Sequence, residues 1–121
     1  MKNLLVGAGF AWCLAAPVSA AVFECSREEV SICERGAGCR SAGPRLLYVR
    51  IDFDANIYDR CSADQCDRHP IRVTTVGDFL NLAVPDVTIG ATVGPMGELT
   101  EVVYQGSTVM VAYGQCLQVE P

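Results

Sequence analysis

Seven cysteines are spread over 121 residues, and the six that follow residue 20 constrain the fold more than anything else in the chain. Cys25, Cys33, Cys39, Cys61, Cys66 and Cys116 are an even set in a short sequence. In an exported chain such a set reads as a disulfide framework made in an oxidising compartment. Fifteen pairings of six cysteines exist, and spacing alone does not choose among them. Proximity suggests Cys33–Cys39 and Cys61–Cys66, which leaves Cys25–Cys116 to tie the two ends. On the loop-entropy account a bridge closing about six residues contributes roughly 2 kcal/mol and one closing about ninety roughly 4.6 kcal/mol. Cys25–Cys116 is therefore expected to dominate stability.

Export is read from the start of the chain. Met1-Lys2-Asn3 carries one positive charge, residues 4–16 are apolar, and Val18-Ser19-Ala20 offers small side chains to a signal peptidase. The apolar stretch is shorter than the roughly 20 residues that span a bilayer. Residues 1–20 thus read as a cleavable signal peptide and residues 21–121 as a single disulfide-rich domain. Cys13 is poorly placed for lipidation, because Trp12 puts a bulky ring where the cut needs a small residue. No later segment is apolar and long enough for a stable membrane anchor, so the mature chain is expected to be periplasmic or secreted.

About 101 residues bury some 60–70% of their unfolded surface, enough for a modest core. Past residue 20 the chain has eight arginines, no lysine and 14 acids, a formal charge of −6. An acidic surface repels phosphate backbones, which argues against nucleic-acid partners and favours a basic protein.

After a short strand at residues 21–25, residues 26–43 show no clean period. A disulfide-pinned loop is expected there, with room for one helical turn from the Ser26-x-x-Glu29 capping pattern. From residue 44 the period becomes two. Leu47, Val49, Ile51 and Phe53 alternate with Tyr48, Arg50, Asp52 and Asp54, the mark of a half-buried strand. Asp54-Ala55-Asn56, Gly77-Asp78, Gly94-Pro95-Met96-Gly97 and Gln105-Gly106-Ser107 supply turns, with residues 62–67 as a loop or hairpin tip. Seven or eight short strands result. They predict an all-β, antiparallel meander that closes as a small up-and-down barrel or a curled sheet. Leu47, Val49, Ile51, Phe53, Leu80, Leu82 and Val111 are expected to fill its interior.

Few residues suggest chemistry. Cys61, Cys66 and His69, with Asp64 and Asp67 nearby, have the elements of a zinc set, but a disulfide beside a solvent-facing histidine explains them as well. His69 is the only histidine. A hydrolase would need it beside a nucleophile, and Ser26, Ser41, Ser62 and Ser107 lack a nucleophile-elbow context. Asp52-x-Asp54-x-Asn56 opens like a calcium loop, yet Ile57 and Ala63 stand where Gly and Glu are required. There is no Cys-x-x-Cys. The expectation is a binding protein without catalytic residues, cofactor or metal. Tyr48, on the polar side of its strand, with Asp52 and Tyr58, forms the candidate binding set, since tyrosine is favoured at interfaces. A small-ligand carrier and a hydrolase using His69 are the alternatives.

Two resemblances bear on this. Phe23-x-Cys25, Tyr48-x-x-x-Asp52, Tyr58-x-x-Cys61, Gly77-Asp78-Phe79 and Tyr113-Gly114-x-Cys116 together resemble a family of small exported proteobacterial proteins. The likeness covers most of the mature chain and implies a fold but no activity. More distantly, the chain is similar to periplasmic inhibitors of C-type lysozyme, small antiparallel barrels with a cysteine near each end. That resemblance implies inhibition of a basic enzyme through a Ser- and Tyr-bearing loop, a motif with no counterpart at any position here.

Overall fold

Alternation along the chain sets the strands. In the strand Glu98–Gln105, Leu99, Glu101 and Val103 are buried while Thr100 and Val102 are half-buried and Tyr104 is exposed. The period of two places alternate side chains on opposite faces of the sheet. The computed structural model describes residues 21–42, 48–63 and 65–119. The expected signal peptide, Leu47 and Asp64 lie outside the described residues.

Eleven strands form among the described residues: β1 (Val22–Cys25), β2 (Glu29–Glu34), β3 (Gly38–Ser41), β4 (Tyr48–Asp52), β5 (Ile57–Cys61), β6 (Cys66–Pro70), β7 (Arg72–Val76), β8 (Phe79–Val84), β9 (Ile89–Val93), β10 (Glu98–Gln105) and β11 (Thr108–Val119). Nine of them follow one another in the order β6-β5-β4-β1-β11-β10-β9-β8-β7, every pair antiparallel. The fold is the expected all-β, antiparallel, near-closed barrel. It is built from two meanders, β4–β6 and β7–β11, held together by β1, which lies between β4 and β11.

Two parts differ from the sequence expectation. Residues 26–42, expected as a loop with room for a helical turn, instead carry the β2–β3 hairpin, which pairs with the first half of β11. Its turn uses left-handed glycines, Gly36 at φ 80° and Gly38 at φ 81°; β2 alternates only over Val30 to Cys33, and β3 is four exposed residues, too little for a period to stand out. Residues 66 and 67, read as the end of a polar loop, and residues 68–70, to which the sequence assigns no element, form β6. There the Cys61–Cys66 bridge and the Arg68–Asp59 ion pair, across β5 and β6 at 3.0 Å, hold a strand that hydrophobic alternation does not mark.

The core gathers Val49, Ile51, Tyr58, Leu82, Val84, Ala91, Val93 and Leu99 with Cys25 and Cys116, and Phe53, Leu80 and Met110 pack against it. Val111 faces out. Ala112, fully buried, takes the inward place because it stands opposite Glu101 on one side and Val30 on the other.

β11 changes partner midway. Thr108 to Tyr113 pair with β2, and Cys116 to Val119 pair with β1. At the switch Ser26 N–H donates to Gln115 O at 2.9 Å and Glu28 N–H to Tyr113 O at 2.8 Å. The chain presses so close that a Cβ on Gly114 would lie 1.7 Å from the Ser26 carbonyl oxygen.

All three bridges form as proximity and chain ends suggest: Cys25–Cys116, Cys33–Cys39 and Cys61–Cys66. Each joins directly opposite residues of two paired strands. They fit an oxidising, extracytoplasmic setting. Cys25–Cys116 spans 91 residues and staples the β1–β11 junction on which the two meanders depend. Replacing Cys25 and Cys116 together by serine is expected to cost about 4–5 kcal/mol, against about 2 kcal/mol for the Cys33/Cys39 pair. Urea unfolding of the two double variants measures both. Equal losses would remove the loop-entropy account.

Candidate functional site

The partner switch in β11 leaves a groove on the outside of the barrel. It has a volume of about 380 Å³ and is lined by Glu24, Cys25, Ser26, Glu28, Tyr48, Gln115, Leu117 and Val119. β1 supplies Glu24 from its outward side, and Leu117 stands opposite it on β11. Ser26 and Glu28 come from the segment that leaves β1 for β2, and the Ser26 hydroxyl donates to the Glu28 carboxylate at 2.9 Å. Gln115 is fixed by the β9–β10 turn: its Nε2 donates to Met96 O at 2.6 Å, and Cys116 N–H donates to Gly97 O at 2.7 Å. Leu117 remains 69% exposed, a large apolar side chain in a groove whose lining includes two carboxylates, Glu24 and Glu28. Of those carboxylates, Glu24 accepts from Arg50 Nη1 at 2.8 Å, so Glu28 carries the less compensated charge.

Of the three candidate binding residues, one lies here. Tyr48 forms part of the groove wall and is half-buried. Asp52 works within its own hairpin: Oδ1 accepts from the backbone N–H groups of Asp54 and Ala55, both at 3.0 Å, and shapes the β4–β5 turn. Tyr58 is not a surface residue at all. It is fully buried, and its hydroxyl donates to Glu101 Oε2 at 2.6 Å. The groove residues Glu28, Gln115 and Leu117 escaped the sequence reading, because they meet only where β11 changes partner.

Glu101 is the centre of a second cluster inside the barrel. Its side chain is 0% exposed and that of Arg27 1%. Arg27 Nη2 lies 3.2 Å from Oε1, while Arg60 Nε donates to Oε2 at 3.2 Å. Both oxygens are thus held by charged donors, the arrangement that makes a buried carboxylate tolerable. Tyr58 on β5 and Glu101 on β10 are four strands apart along the ring, so their bond crosses the lumen and occupies it at that level. Burial first, then the charge of Glu101 and the hydrogen bond to it, push the Tyr58 hydroxyl well above its ordinary value of 10.0, against smaller opposing effects of Arg60 and Arg27. One signal was visible beforehand: Glu101 occupies an inward place in the alternation Leu99-x-Glu101-x-Val103.

The remaining sequence candidates separate. Cys61 and Cys66 are joined to each other, so neither offers a thiolate to a metal, and among the described residues no group of three or more metal-ligating side chains comes together. His69 Nδ1 lies 3.3 Å from Asp86 Oδ1 in the β8–β9 turn. The Ser62 hydroxyl donates to Gln65 O at 3.3 Å. Asp59 is buried against Arg68, which binds both its oxygens and is held more firmly protonated by them. No helix among the described residues is long and apolar enough to cross a membrane.

The interior cluster sets two expectations. Glu101→Gln leaves two arginines facing a neutral amide and should cost about 3–5 kcal/mol. Because the folded chain holds the Tyr58 proton more tightly than the unfolded chain, its contribution is complete below pH about 10 and is lost as pH rises beyond it. Tyr58→Phe should flatten that alkaline decline, measured by urea unfolding between neutral pH and pH 11; an unchanged slope would assign the decline elsewhere. Comparison with protein-family models, with curated proteins and with solved structures finds no match to this chain.

Proposed function

We propose that this is an exported, non-enzymatic binding protein, acting in the periplasm or outside the cell, whose outer groove receives a basic segment of a protein partner. The observation that carries the reading is Leu117, 69% exposed in a groove rimmed by Glu24 and Glu28. An apolar floor beside carboxylates suits an apolar side chain flanked by Arg or Lys. Leu117, Val119 and Tyr48 would bury the first, and Glu28 would meet the second. The net charge of −5 steers basic proteins toward such a surface and raises the rate of encounter. A C-type lysozyme is the basic protein that the barrel architecture and its end-to-end bridge bring forward.

Selection from a random-peptide display library on the purified protein tests the groove. The expected winners carry Arg or Lys next to Leu, Ile or Phe, bind more weakly as salt rises, and lose at least tenfold in affinity to the Leu117→Asp and Glu28→Lys variants. Winners that are acidic, or that bind both variants as well as the parent, would overturn the reading. In the specific case, slowing of lysis by C-type lysozyme at micromolar excess is expected to vanish in Glu28→Lys. No slowing by the parent protein would remove lysozyme as the partner.

A further inference from the structure

The outward face of β8–β11, continued by β2 and β3, contains no charge over three successive cross-strand rows. The middle row runs Ala83, Gly90, Val102, Val111, Ser31 in register. The rows on either side run from Asn81 to Tyr113 and from Tyr104 to Cys39, and charge returns only at the borders, as Arg72 beside Ala83 and Glu29 beside Tyr113. The opposite side of the barrel is patterned differently. There Glu24, Arg50, Asp59 and Arg68 follow one another across β1, β4, β5 and β6 with alternating sign.

We infer that the uncharged face is where two copies of this chain meet. Two acidic molecules repel wherever carboxylates would face each other, and like charges brought opposite one another are destabilising. A face without charge is where that repulsion is least. A basic partner would gain no attraction from the same face, so charge selects a second copy over a basic protein. The composition agrees: depletion of charge with exposed tyrosine marks the centre of protein interfaces, and Tyr104 and Tyr113 are 55% and 48% exposed.

The shape also suits a symmetric pair. A two-fold contact uses one patch on both partners, so the patch must carry both a projection and a hollow. The hollow lies over Gly90, about 380 Å³ in volume, with Val87, Thr88, Asn81 and Tyr104 around it. Tyr113 projects two strands away. With the two-fold axis over β10, Tyr113 of each copy reaches the hollow of the other, and the two sheets pack face to face.

Sedimentation velocity of the exported, oxidised protein tests this. The parent is expected to approach twice the monomer mass as its concentration rises through the micromolar range. Added salt should tighten the pair by screening its self-repulsion, the reverse of its effect on a basic ligand in the groove. Gly90→Arg should return the protein to monomer. A Cβ there meets nothing nearer than Leu82 O at 3.9 Å, so the fold accepts it. Thr100→Arg, on a second strand of the same face, should act alike, and far-ultraviolet circular dichroism with an unchanged melting temperature checks both folds. Glu28→Lys should stay dimeric. A parent that is monomeric throughout, or a dimer that survives both arginine variants in folded form, would overturn the inference.

Discussion

A carboxylate inside an apolar barrel needs its charge and its lone pairs answered, and Glu101 has both answered by three groups from two separate parts of the chain. Arg27 comes from the connection between β1 and β2, while Tyr58 and Arg60 come from β5, on the far side of the ring. Such a centre adds little net stability over a well-packed apolar one, because desolvation offsets most of the attraction. Its effect is on specificity. A one-residue slip of β5 against β4 would turn Tyr58 and Arg60 outward and leave the buried Glu101 to Arg27 alone. The register of β5, the path of the β1–β2 connection and the inward turn of β10 are therefore fixed together.

The two outer faces of the barrel differ in charge. On β1 and β4–β6, carboxylates and guanidinium groups alternate across the strands, and the Glu24–Arg50 and Asp59–Arg68 pairs close at 2.8 and 3.0 Å. Each exposed pair contributes little to stability. Together they keep that face solvated and tie β6, an end strand, to its neighbour. On β8–β11 the three rows through Thr100, Val102 and Tyr104 carry threonine, valine, alanine, asparagine, glycine and tyrosine and no charge.

The barrel was legible in the sequence because residues 71–113 alternate and are punctuated by glycine-containing turns. Val73, Leu80, Leu82, Ala91, Val93, Leu99 and Val103 all face the core as the period demands. Legibility failed where something other than apolar alternation makes the strand. β6 has no buried apolar residue and is held by a bridge and an ion pair. β2 offers only Val30 and Ile32 as inward apolar positions, and β3 is four exposed residues that begin with glycine. The site was less legible than the fold. Tyr48, which the alternation marks as an exposed anchor, is half-buried in the groove wall, and Tyr58, grouped with it by the sequence, is fully buried. Nothing within residues 57–61 says that the other side of the strand faces Glu101, 43 residues on. Leu117 and Glu28 are neighbours only through the antiparallel return of β11, a contact between chain ends that no local pattern encodes.

The same junction accounts for both the barrel and the groove. β11 must leave β2 and take up β1, and the chain between those two strands has to cross it at Gly114, where only a hydrogen fits against the Ser26 carbonyl. The displaced segment, Ser26 to Glu28, becomes one wall; the strands that Cys25–Cys116 holds together become the floor. Arg27, between the two groove residues Ser26 and Glu28, points inward to Glu101 and anchors that wall to the interior. A groove whose floor is a disulfide-linked strand pair and whose wall is tied to a buried ion cluster loses little freedom when it is filled. Under the proposed binding role, that pre-organisation would lower the ordering cost of filling the groove.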